Sequence, residues 1–162
     1  MTQLPKIILV DDHTLFREGL RLLIEEEKLG EVIAEAENGK EFIGLLSIFK
    51  PDMVLIDIEM TIMGGLEATI MAKAIYPDLK ILVLTMQSSK DDYINFVNAG
   101  AVGFILKTTD KKELENAIQS VLQGENYYSK EILQNVIKGF ISNPLGLEKS
   151  KSKNYDLTDR EK

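Results

Sequence analysis

Four short apolar runs constrain this chain more than any other feature: Ile7-Ile8-Leu9-Val10, Met53-Val54-Leu55-Ile56, Ile81-Leu82-Val83-Leu84 and Phe104-Ile105-Leu106. Each is too short for an ordinary helix, unbroken by charge and rich in β-branched or aromatic residues. That is the pattern of strands covered on both faces, as in a parallel sheet. A fifth run, Val32-Ile33-Ala34-Glu35-Ala36, carries a charge inside it and reads as an edge strand. Parallel strands need long crossovers, and the segments between the runs have helical spacing. Phe16, Leu20 and Leu23 fall at i, i+4 and i+7. Phe42, Leu45 and Leu46 mark a second helix, expected to run to near Lys50 because Pro51 disfavours helix at the residue before it. A third is expected from about Gly65 to just before Pro77, and a fourth runs through Ile94 and Val97 and closes at Gly100. The fifth carries Leu114, Ala117, Ile118 and Val121, with Asp110 as N-cap and Gly124 at its end.

Strand and helix therefore alternate, which predicts an α/β fold: a doubly wound (βα)5 parallel sheet with right-handed crossovers and helices on both faces. Five strands fit the flavodoxin-like order 2-1-3-4-5 better than the six-strand dinucleotide fold. A further amphipathic segment, opened by Ser129 and striped by Ile132, Val136, Ile137, Phe140 and Ile141, predicts a C-terminal helical extension over 129–141. Residues 142–156, with Asn143-Pro144, Gly146 and the Lys149-Ser150-Lys151-Ser152-Lys153 run, read as a linker. The compact domain is expected to span 1–128.

Composition narrows the chemistry. The 162 residues hold 26 Asp and Glu against 19 Lys and Arg, for a net charge of −7. Bulk electrostatics then oppose binding to nucleic acid or anionic membrane, because phosphate recognition draws on clustered cations. There are no cysteines and one histidine, His13, which excludes disulfides, thiolate sites and His-rich zinc sites. No apolar stretch approaches the ~18 residues of a membrane span, and a cytoplasmic location is expected.

Each strong run ends in a polar residue: Asp11 with Asp12, Asp57, Thr85 and Lys107. Singly, each has a plainer explanation as a strand end, a helix cap or a solvated loop charge. Jointly they matter, because the carboxyl ends of strands in an open parallel sheet form its ligand crevice. Two carboxylates ~4 Å apart at an effective dielectric near 20 repel by roughly 4 kcal/mol, so three in one crevice demand a counter-charge. Mg²⁺ suits the need, since it binds through few carboxylates and keeps positions for water and phosphate. A carboxylate nucleophile, a Mg²⁺ pocket, an ammonium and a hydroxyl are the parts of phosphoryl transfer.

With these residues in view, the chain resembles the receiver domain of two-component response regulators, through IILVDDH, MVLIDIEM, ILVLTM and GFILKT. The likeness spans roughly Lys6 to Gly124. VDDHTLFREGL, AGAVGFILKT and the late LTDREK resemble the LuxR/NarL-type subfamily with a helix-turn-helix, so 157–162 read as the start of a DNA-binding domain missing here. The resemblance implies that Asp57 is phosphorylated by a sensor histidine kinase. It also implies that Asp11, Asp12, Asp57 and the backbone carbonyl of Glu59 hold Mg²⁺, that Thr85 and Lys107 grip the phosphoryl oxygens, and that Phe104 is the switching aromatic. It implies no enzyme beyond self-phosphorylation and self-dephosphorylation, a homodimer on phosphorylation, and promoter DNA bound only through the missing domain.

Two departures bear on phosphate access and lifetime. Met86 follows Thr85 where the family usually has a small residue, and Glu59, with Gln87 as its expected neighbour, adds charge beside the nucleophile. His13 is read as a solvated residue of the first helical turn. The competing class is an aspartate-nucleophile phosphohydrolase of haloacid-dehalogenase type, whose D-x-D-x-T resembles Asp57-Ile58-Glu59-Met60-Thr61. Against it, Glu59 replaces the second Asp, the motif lies on the third strand, and the acidic pair precedes it.

Overall fold

The computed structural model describes residues 3–142 apart from Ser88. Six strands, β1 (Lys6–Val10), β2 (Glu31–Ala36), β3 (Met53–Asp57), β4 (Lys80–Thr85), β5 (Gly103–Leu106) and β6 (Tyr127–Tyr128), form one sheet. Its order is β2-β1-β3-β4-β5-β6, and every pairing is parallel. The helices are α1 (Thr14–Glu26), α2 (Gly39–Leu45), α3 (Gly65–Ile75), α4 (Lys90–Ala99), α5 (Lys111–Leu122) and α6 (Lys130–Ser142).

Side chains alternate across each strand, and both sets are buried. Ile8, Val10, Val54, Ile56, Ile81, Val83 and Phe104 pack on one face under α2, α3, α4 and α6, against Phe42, Ala68, Ala72, Phe96, Ile132 and Val136. Ile7, Leu9, Met53, Leu55, Leu82, Leu84 and Ile105 pack on the other under α1 and α5, against Leu20, Ile24, Leu114, Ala117, Ile118 and Val121. The continuous apolar runs thus follow from a sheet with no wet face. Full burial of each such side chain contributes about 1.5–3 kcal/mol before conformational entropy is set against it. Among the described residues, no helix is long and apolar enough to cross a membrane.

The (βα)5 alternation and the 2-1-3-4-5 order hold, with additions. Tyr127 and Tyr128 add a sixth strand beside β5, because Tyr127 N–H donates to the Val102 carbonyl and Ser129 N–H to the Phe104 carbonyl. Two residues are too few to show a period, so sequence patterning missed them. α2 ends at Leu45 rather than near Lys50: Leu46, Ser47 and Ile48 donate to carbonyls three residues back, tightening the chain out of the α-helix. The caps at Asp110, Ser129 and Gly100 follow the sequence, and Asn38, not read as a cap there, opens α2. Asn38, Asp110 and Ser129 accept from Glu41, Glu113 and Ile132 N–H, and Gly100 ends α4 at φ 107°.

α6 is built onto the core of the sheet, with Ile132 and Val136 buried in the cluster that holds Phe104. The expected linker over 142–156 and the helix-turn-helix start over 157–162 fall, from residue 143 on, outside the described residues.

At Gly65, the first residue of α3, an added Cβ would lie 2.1 Å from the backbone oxygen of Asp57. Backbone cannot yield there as a flexible side chain would. Gly65→Ala is expected to destabilise the fold by about 2–4 kcal/mol, and denaturant unfolding that matches wild type would overturn the assignment.

Candidate functional site

The carboxyl ends of β1, β3, β4 and β5 open into a cleft of about 520 Å³ lined by Asp12, His13, Asp57, Ile58, Glu59, Met60, Thr61, Thr85, Met86, Gln87, Asp92 and Lys107. At its floor the Lys107 ammonium lies 2.7 Å from Asp11 Oδ2 and 3.0 Å from Asp57 Oδ2, with all three side chains no more than 8% exposed. Residues as far apart as Asp11 and Lys107, more than half the chain's length, are joined there because β1 lies between β2 and β3, and β5 brings Lys107 in from the far side of β4. Lys107 N–H donates to the Thr85 carbonyl, which fixes where the ammonium stem leaves the backbone.

Asp11 has more supports than its position at a strand end foretold. Its Oδ1 accepts from His13 N–H at 2.8 Å, and its carbonyl accepts from the Arg17 guanidinium. Arg17 is itself held by Glu35 at 2.7 Å, and Arg21 reaches the same carboxylate at 2.8 Å. Glu35, the charge that marks the edge run, thus anchors the turn bearing the acid pair. Arg17 went unread in the sequence; its only signal there is a place one helical turn after His13.

His13 is the N-cap of α1 with an exposed ring, not a member of its first turn. Its Nδ1 lies 3.0 Å from Asp11 Oδ1, 3.5 Å from Asp12 Oδ1 and 3.1 Å from Lys107 Nζ. Asp12 Oδ1 is buried with no hydrogen-bond partner. Asp11, Asp12, His13 and Asp57 each offer a ligand atom, all within 4.8 Å of one another. An unpartnered carboxylate oxygen amid such a set fits a bound cation.

The remaining expected residues divide. Glu59, Met86 and Gln87 are exposed and line the cleft. Thr85 is buried, and its hydroxyl donates to the Gln87 carbonyl at 2.7 Å rather than to Asp57. Phe104 does not line the cleft. It is wholly buried on the α4 side, its ring 5.6 Å from Phe96 and 5.7 Å from Tyr93, which in turn lies 5.4 Å from Tyr128. Asp92, which sequence reasoning missed, reaches the rim through its capping box with Ser89 at the start of α4.

Burial raises the Asp57 carboxyl above its ordinary range; the Lys107 ammonium and the Ile58 N–H pull the other way, and Asp11 adds to the rise. The folded chain therefore holds this proton to higher pH than the unfolded chain does. Its contribution to stability falls as pH climbs from the ordinary carboxylate value to the raised one, and stays low above it. In divalent-free buffer, Asp57→Asn is expected to melt ~2–4 °C above wild type near neutral pH. The gap should close as pH falls toward about 4, and a gap that ignores pH would contradict this origin.

The family model of the response regulator receiver domain matches residues 7–119. The transcriptional regulatory protein DegU of Brevibacillus brevis is 36% identical over 135 residues, covering 83% of this chain and 57% of DegU. A nitrate/nitrite response regulator homolog of Haemophilus influenzae is 34% identical over 158 residues, covering 96% of this chain and 71% of that protein. The chain thus spans 57 to 71% of the length of these curated relatives. Among solved structures, a LuxR-family response regulator from an Aurantimonas species superposes with a TM-score of 0.80 at 34% identity, covering 86% of this chain and 99% of that one.

Proposed function

The chain belongs to the response regulator receiver family and so takes part in two-component phosphorelay, and on that footing we propose that Asp57 is its phosphoacceptor. The observation that carries this is the buried Lys107 ammonium bridging Asp11 and Asp57 at the cleft floor. In the proposed step, an Asp57 carboxylate oxygen bonds to phosphorus as the phosphorus–nitrogen bond of a sensor kinase's phosphohistidine breaks. The imidazole leaves with the bonding electrons and takes a proton.

Lys107 neutralises charge on the phosphoryl oxygens, and Asp11 stays beside it to hold the ammonium in place. Mg²⁺, held by Asp11, Asp12, Asp57 and the Glu59 carbonyl, supplies further charge neutralisation when bound. The new phosphoryl group brings nearly two negative charges and three acceptor oxygens. Thr85 then exchanges its bond to the Gln87 carbonyl for one to a phosphoryl oxygen, leaving space beside β4 into which the Phe104 ring turns. Because Phe104 touches Tyr93 and Phe96 and shares a cluster with Ile132 and Val136, that turn unpacks the seat of α6. The local charge event biases a two-state surface.

In this reading 1–128 is the receiver, 129–141 the extension helix, 142–156 the linker, and 157–162 the start of a LuxR-type helix-turn-helix domain. Phosphorylation promotes a homodimer that binds promoter DNA through that further domain, in the cytoplasm. The chain is not an enzyme in the ordinary sense and acts at most on its own aspartyl phosphate.

Incubation with Mg²⁺ and a small acyl phosphate is expected to give stoichiometric phosphorylation that Asp57→Asn abolishes. Multiple turnover of a generic phosphate ester would instead favour the haloacid-dehalogenase reading. Met86, 58% exposed over the cleft, restricts the approach of water. Met86→Ala is expected to shorten the acyl-phosphate half-life several-fold, and an unchanged half-life would remove Met86 from the account.

A further inference from the structure

We infer that Arg17 is a positioning residue for the acid pair: by holding the Asp11 carbonyl it sets where Asp12 stands, and so how tightly the cleft takes a divalent cation. On the proposed reading Asp11 and Asp12 hold Mg²⁺, and the role of Arg17 rests on that reading. Arg17 acts through the acids and touches neither the cation nor the phosphoryl group.

The sheet stops supporting β1 just where the acids begin. Asp11 N–H still donates to the Ala36 carbonyl of β2 at 3.0 Å, but the Asp11 carbonyl has passed the end of the ladder. Among the described residues, its one hydrogen-bond donor is the Arg17 guanidinium. A peptide unit is planar, so anchoring the Asp11 oxygen also fixes the amide from which Asp12 starts. Asp12 has little else to place it: its side chain is 32% exposed and its Oδ1 accepts no hydrogen bond. Its position comes from its backbone.

Arg17 is itself held in one orientation. Its N–H donates to the His13 carbonyl at 2.9 Å, which roots it in the first turn of α1. Its side chain is 11% exposed, with Nε donating to Glu35 Oε1 at 2.7 Å while Nη1 serves the carbonyl. A planar guanidinium that meets two acceptors through two nitrogens has little freedom left, and an ammonium on a flexible stem does not reproduce it. The charges are matched as well. Glu35 faces Arg17, and Arg21, 2.8 Å from the other Glu35 oxygen, also has Glu25 at 3.6 Å. The anchor thus puts little net positive charge beside a pocket that takes a cation.

The test is calorimetric titration of residues 1–162 with MgCl2 in wild type, Arg17→Ala, Arg17→Lys and Arg21→Ala, well below each melting temperature, where a merely structural contact does not alter affinity. Arg17→Lys keeps a charge against Glu35 and is the variant expected to keep the fold. Its Mg²⁺ affinity is expected to fall ~10-fold, the usual scale for losing a group that orients a metal ligand, and that of Arg17→Ala by at least as much. Arg21→Ala leaves the carbonyl bond intact and is expected to stay within about 2-fold of wild type. In phosphorylation by a small acyl phosphate, the Mg²⁺ requirement of Arg17→Lys is expected to rise by the same factor, with the rate at saturating Mg²⁺ little changed. Wild-type Mg²⁺ affinity in Arg17→Lys would overturn the inference. So would a loss in Arg21→Ala equal to that in Arg17→Lys, which would trace the effect to charge at Glu35 rather than to the carbonyl. If Asp12→Asn binds Mg²⁺ as wild type does, the cation reading itself fails and the role of Arg17 goes with it.

Discussion

The arrangement of this protein depends on an ammonium group buried between two carboxylates. Asp11 and Asp57 lie at the ends of neighbouring strands, and taken out of water together they would repel strongly enough to drive protons onto one of them. Lys107, arriving from β5, offsets that cost. It also limits it: burial still outweighs the ammonium at Asp57, whose carboxyl titrates above the ordinary range. The site is therefore poised rather than relaxed. Removing Lys107 would leave two buried carboxylates facing each other without a counter-charge, which is why the three strand ends act as one unit.

Much of this was legible in the sequence because the two kinds of signal coincide. Continuous apolar runs locate strands with no wet face, and the polar residue after each run marks the end where a doubly wound sheet gathers its ligands. Asp11, Asp57 and Lys107 are found together for that reason alone. The hidden parts are those in which a local alternative competes with the general pattern. Thr85 has its own nearby acceptor in the Gln87 carbonyl, and no pattern foretells which way a hydroxyl rotates. α2 tightens into three-residue hydrogen bonds before Pro51 can end it. His13 looks like an ordinary turn residue until the fold brings Asp11 and Lys107 to the same nitrogen, and β6 is too short to carry a period.

The two faces of the sheet divide the work of the molecule. α1 and α5 close the face that carries Leu9, Leu55 and Ile105; there Phe16 lies with its ring 4.9 Å from the Lys107 ammonium and Tyr127 packs at the edge, but among the described residues no ring-to-ring contact joins them. The opposite face holds Phe104, Phe96, Tyr93 and Tyr128 in edge-on or tilted contact and leads from β5 to the N-cap of α6. Rings packed in this way have few alternative arrangements. In the proposed switch, a turn of Phe104 would have to be met by a repacking of these rings.

The outer strands bear on how two copies of such a chain can meet. One boundary of the sheet is β2, with Glu31 exposed and Glu35 held by arginines; the other is β6, two residues long and followed at once by a helix. Charge within a border strand, and a border too short to template a neighbour, are the devices by which sheets avoid extending into one another. Among the described residues, the row of unpaired backbone groups that could seed intermolecular β-structure is thereby shortened at one side and guarded by charge at the other. Both borders of the sheet are thus closed to a second strand, and the sheet ends with the chain that builds it.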